Sequence, residues 1–214
     1  MKKTFVIIVC FCVTVTLYSQ RNLQKAIHNY YRYDPFERSF SNFITSLLND
    51  PVLSNKTIAK RTDSTLFFFK GEYKDHNPFA FKAIRTEVRL AEMEVESADS
   101  IPKIDTIMAY QIIGYTYKTG NGIQSVKSEF ARFDRKYGDE FPSKTTKDLV
   151  DGGHVEGMTC NYFLSNSAIS PLTVSWGNVS NGESIFVITL RLIKIENQAM
   201  LPVLFDRNFS QPVP

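Results

Sequence analysis

Residues 172–195 read LTVSWGNVSNGESIFVITLRLIKI, two β-favouring runs parted by Ser180, Asn181 and Gly182. Runs of this composition around an Asn-Gly turn predict a β-hairpin. A three-residue loop, with Gly182 left-handed in a bulge, sets Trp176 opposite Phe186, Val174 opposite Ile188 and Leu172 opposite Leu190. The large apolar side chains then share one face. A two-residue loop would set Leu172 opposite Arg191 and split that face, so the bulged form is expected.

Outward from this hairpin, Val155 to Leu164 reads as another strand, and the polar stretch from Pro142 to Gly153 as its connection. Thr106 to Tyr117 is apolar at both parities, as a central strand covered on both faces should be. In Ile84, Thr86, Val88 and Leu90 apolar character alternates against Arg85, Glu87 and Arg89. It then slips to Ala91, Met93 and Val95, which predicts a β-bulge near Leu90. Leu66 to Phe69 begins a strand, and Asp75, His76, Asn77 and Pro78 form a turn.

Three helices are expected. The first covers 22–33, with Leu23, Ile27 and Tyr30 or Tyr31 inward. The second covers 35–49: Asp34 caps, Pro35 suits the first helical position, Glu37 completes a capping box, and Asn49, Asp50 and Pro51 end it. The third covers 121–137, opened by Asn121 and Gln124, with Ile123, Val126, Phe130, Phe133 and Tyr137 buried. Its wet side is Lys127, Glu129, Arg132, Asp134 and Lys136. Helices, strands, a helix and more strands, without regular alternation, imply an α+β domain: a mostly antiparallel, curved sheet packed against two or three helices. In architecture alone this is similar to the cone-shaped folds that hold small ligands in a concave face, and architecture does not fix function.

The chain has 214 residues, 43% apolar and 22% charged, which excludes a rod, a collagen-like repeat and a wholly disordered chain. Its formal charge of +3 includes Lys2 and Lys3, which begin an apparent export segment, so no nucleic-acid partner is implied. Residues 1–19 have the charged start, the apolar stretch from Phe5 to Leu17 and the small Ser19 of a cleaved signal peptide. Cleavage leaves one domain over 20–198, an irregular tail over 199–214, and no transmembrane segment. It also removes Cys10 and Cys12, leaving Cys160 without a disulfide partner.

The segment ending Leu17, Tyr18, Ser19, Gln20 resembles those of proteins exported by Gram-negative Bacteroidota. The likeness implies a periplasmic or extracellular product and carries over no site residue. Asn55, Asn178 and Asn208 begin sequons that would suit a secreted eukaryotic chain, a competing indication from a short motif.

No complete catalytic motif is present. His154 and Glu156 share a strand face with Met158 and Cys160 and are the candidates for proton transfer. Two ligands are too few for zinc, and His28 and His76 stand at no diagnostic spacing, so no metal and no cofactor is expected. Cys160 lies too far along a strand from His154 to serve as its nucleophile. Glu92, Glu94 and Glu96, with Asp99 and Asp105, form an acidic run without calcium-loop spacing. Seventeen Phe and ten Tyr can furnish an apolar pocket, with Phe67, Phe69 and Trp176 as candidate contacts. The sequence thus points to a non-enzymatic exported domain that binds an envelope protein or a small apolar ligand. Its alternatives are a hydrolase using His154 and Glu156, and a structural component of an envelope complex.

Overall fold

The computed structural model describes residues 23–60, 67–93, 106–164, 170–194 and 201–202. The export segment, Glu94, Glu96, Asp99, Asp105 and Asn208 lie outside the described residues. Helix α1 covers 23–30, followed by a 3-10 turn at Pro35–Glu37 and helix α2 at Phe40–Asn49. Four strands follow: β1 (Leu53–Lys60), β2 (Phe67–Tyr73), β3 (Arg85–Met93) and β4 (Thr106–Tyr117). After helix α3 (Gly120–Tyr137) come β5 (Ser143–Asp151), β6 (His154–Phe163), β7 (Leu172–Val179), β8 (Glu183–Lys194) and the short β9 (Leu201–Pro202).

The sheet order is β1-β2-β3-β4-β8-β7-β6-β5, antiparallel throughout, with β9 beside β8. Two four-stranded meanders therefore meet at β4 and β8, and α3 carries the chain from one to the other. The fold is α+β with a mostly antiparallel open sheet, and among the described residues α1 contributes eight residues and α2 ten, so helical mass is smaller than expected. No helix among the described residues is long and apolar enough to cross a membrane.

The β7–β8 hairpin has the expected register: Trp176 faces Phe186, Val174 faces Ile188, Leu172 faces Leu190, and Gly182 has φ 79°. Strand β4 is central and divides its side chains between two apolar groups. Met108, Tyr110 and Ile112 join the main core under the helices, while Ile113 and Tyr115 meet Val187 on the other face.

Five local expectations are corrected. The helix expected over 35–49 is interrupted: Asp34 caps Phe36 N at 2.8 Å, Arg38 is extended, and Ser39 caps a fresh start at Phe40. The polar stretch from Pro142 to Gly153 contains β5, an exposed edge strand whose Lys144, Lys147 and Asp148 discourage edge-to-edge pairing. Strand β3 keeps unbroken register with β2 and β4, so the apolar slip beyond Leu90 needs no bulge. Instead Ala91 sits between Phe68 and Ala109 on a sheet face that is itself apolar there. Finally, Glu129 of α3 is buried, at 2% exposure, rather than wet. In the tail expected to be irregular, Leu201 and Pro202 pair with Ile193 and Leu192.

Candidate functional site

The residues singled out from sequence are scattered. His154 is exposed, opposite Asp151, after the two-residue turn of Gly152 and Gly153, whose φ values of 56° and 83° suit glycine. Glu156 is the extra residue where the β5–β6 register shifts between Leu149 and Val150. It accepts hydrogen bonds from Asn178 Nδ2 at 2.6 Å and Lys118 Nζ at 3.2 Å, which hold its carboxyl below the usual range, Asn178 most strongly. Cys160 is buried and receives the Thr146 hydroxyl at 3.6 Å. Phe69 and Trp176 belong to the core, with the Lys127 ammonium 4.6 Å from the Trp176 ring centre. Phe67 is partly buried and meets Phe40 edge-on at 5.7 Å.

A groove opens elsewhere, between the segment carrying Ala80 and Phe81 and the α3 residues Gln124, Ser125, Ser128, Glu129 and Arg132, with a volume of about 290 Å³. Its apolar wall depends on a close approach. Phe79 and Phe81 stack with ring centres 5.2 Å apart, and Phe79 lies over Gly114 of β4, where a Cβ would come within 2.4 Å of the Phe79 ring.

The groove's floor is the buried Glu129 carboxylate. Oε1 accepts from Tyr30 OH at 2.9 Å and from Arg132 Nη2; Oε2 accepts from Arg132 Nε at 3.0 Å and the Ala80 amide at 3.1 Å. Arg132 Nη2 also donates to Tyr30 OH at 2.9 Å. Burial, then the Glu129 charge, raises the Tyr30 phenol pKa well above its ordinary value, so it remains a donor. Hydrogen bonding to Glu129 likewise raises the Arg132 pKa, so the guanidinium stays charged at the rim. Every lone-pair direction of the carboxylate is thus engaged by α1, α3 or the 79–81 segment, and an occupant would meet Arg132, Gln124 and the serine hydroxyls instead.

A second polar cluster lies beneath α2. Asp50 is 1% exposed: Oδ1 accepts from Val52 N at 2.9 Å, while Oδ2 has Arg32 Nε 2.9 Å away but not aligned for a hydrogen bond. Asp50 Oδ2, Tyr73 OH, His76 Nε2 and Tyr110 OH are all buried without a hydrogen-bond partner among the described residues. Burial, then the Asp50 charge, raises the Tyr73 pKa. Burial, then neighbouring Arg32, lowers that of His76, so its ring is neutral near pH 7. Such convergent groups suit ordered water rather than an ion, because the Arg32 and Asp50 charges already cancel.

Comparison with protein-family models, curated proteins and solved structures found no match to this chain. Both polar clusters escaped sequence reasoning for the same reason. Glu129 and Asp50 occupy positions that amphipathic patterning assigns to a solvated helix face and a helix terminus, and their partners lie far along the chain. The one local signal was Glu129 with Arg132 three residues later, a common surface pair.

Proposed function

We propose that this chain is an exported, non-enzymatic domain of the cell envelope that binds a small, largely apolar ligand with a hydrogen-bonding head. The export half of the proposal rests on residues 1–19 and their resemblance to Bacteroidota signal segments. The binding half rests on the groove between Phe81 and α3: about 290 Å³, near the lower end of the ~300–1,000 Å³ typical of ligand sites, with one apolar wall and Arg132 at its rim. In this reading the sheet curves around α1 and α3 and offers the groove at the open end of that curve.

The placement of His154 and Glu156 gives the hydrolase alternative no support. Neither lines the groove, and Glu156 is occupied by Lys118 and Asn178. Native mass spectrometry of the protein taken gently from its host's envelope fraction tests the binding reading. A reproducible organic passenger, lost from a Ser128→Trp variant that fills the groove, is the expected result. A bare chain in both forms, or a partner protein retained equally by both, would overturn the groove assignment.

A further inference from the structure

His28, Asp34 and Glu37 are brought together where α1 gives way to the Pro35–Glu37 turn, and their potential ligand atoms all lie within 4.8 Å of one another. None was matched by a recognisable spacing, because the break between α1 and the 3-10 turn folds the chain back on itself. The turn between α1 and Pro35 is what sets Asp34 and Glu37 beside His28.

Asp34 is the fixed member. Its side chain is only 7% exposed, and Oδ1 is held by the Phe36 amide at 2.8 Å, the kind of backing hydrogen bond that orients a metal-ligating carboxylate. Among the described residues Oδ2 has no hydrogen bond: His28 Nε2, at 3.8 Å, stands beyond hydrogen-bond reach. Among the described residues neither Asp34 nor Glu37 is paired with a lysine or arginine. Burial raises the Asp34 pKa against the opposing Phe36 hydrogen bond, and the neighbouring Glu37 charge adds to the rise.

We propose that His28, Asp34 and Glu37 form a binding site for a divalent transition metal of the zinc type. Two carboxylates and a neutral imidazole supply a charge of −2 to a dication. Imidazole among the ligands favours zinc, cobalt or nickel over magnesium and calcium. Tetrahedral zinc with bonds of ~2.0–2.1 Å spaces its ligand atoms roughly 3.3 Å apart, so the 3.8 Å between His28 and Asp34 needs only a small closure. His28 and Glu37 are exposed and can make that adjustment by side-chain rotation, while Asp34 stays in place. Three protein ligands leave a fourth position for water or for a group from a bound molecule.

Calorimetric titration of the metal-free protein with zinc tests the site, with cobalt absorption as a geometric readout. The expected result is one zinc per chain, tetrahedral cobalt bands, and about tenfold or greater weakening in each of His28→Ala, Asp34→Asn and Glu37→Gln. His154→Ala, which removes an exposed histidine elsewhere, should bind as the parent does. Asn caps as well as Asp, and the other two side chains are exposed, so all variants should melt like the metal-free parent. Absence of saturable zinc binding, or equal affinity in the parent and the three ligand variants, would overturn the proposal.

Discussion

Glu129 and Asp50 are both buried carboxylates beside an arginine, yet their surroundings differ. Glu129 receives a phenol, an amide and two guanidinium N–H groups, whereas Asp50 keeps one oxygen without an aligned donor and three further orphan polar atoms around it. A fully satisfied buried charge rigidifies what it joins; a partly satisfied one leaves a demand that water must meet. The first cluster is therefore a rivet beneath the groove, joining α1, α3 and the 79–81 segment. The second leaves buried polar atoms that ordered water would have to satisfy.

Removing the rivet should have the largest effect. Glu129→Ala leaves the buried Tyr30 hydroxyl and the Ala80 amide without their acceptor, while Arg132, 38% exposed, can turn to water, and should cost about 3 kcal/mol in urea denaturation. Asp50→Ala should cost less, about 1–2 kcal/mol, because Asp50 accepts one aligned hydrogen bond, from Val52 N, against the four that Glu129 accepts. The opposite order would break the comparison. Gly114→Ala is of comparable size: its methyl collides with the Phe79 ring, and overpacking of this kind costs ~1–3 kcal/mol, read as a lowered denaturation midpoint together with loss of ligand uptake.

Two adjacent tyrosines sharpen the contrast. Tyr31 OH donates to the backbone oxygens of Ile188 and Tyr110 at 2.8 and 3.1 Å, while Tyr110 OH, on a ring 4.6 Å away, has no partner among the described residues. Tyr31→Phe should cost about 1 kcal/mol. If water satisfies the orphan hydroxyl, Tyr110→Phe costs a comparable amount; if the cluster is dry, the substitution is neutral or stabilising. The account expects the cost.

The smallest effect is on pH dependence. Because the folded pKa of His76 is below its unfolded value near ~6.5, the unfolded chain binds more protons between the two, and stability rises with pH there. The contribution is present above the unfolded pKa and lost as pH falls through the folded one. His76→Gln should flatten the slope of urea midpoints between pH 7 and 5. An unchanged slope would place His76 in an unperturbed environment.

The hairpin register, the central strand and all three helices were legible because each is written in local periodicity and turn chemistry. The break at Arg38 was not, since Asp34 and Ser39 are both good caps and patterning cannot rank them. Strand β5 was missed because an edge strand exposed along its whole length has no apolar alternation to read. The clusters around Glu129 and Asp50 depend on residues brought together from distant elements, and a single sequence does not record such meetings. Phe69 and Trp176, chosen for aromatic character, lie in the core because that character serves packing first.

The central claim is that the riveted groove takes a ligand, and direct titration tests it. Purified protein is titrated with a fluorescent medium-chain fatty-acid analogue, whose carboxylate suits Arg132 and whose tail suits Phe81. Saturable binding at one site per chain, abolished by Ser128→Trp and retained by Asp50→Asn, is the predicted result. Absence of saturation, or equal binding by the Ser128→Trp variant, would contradict it.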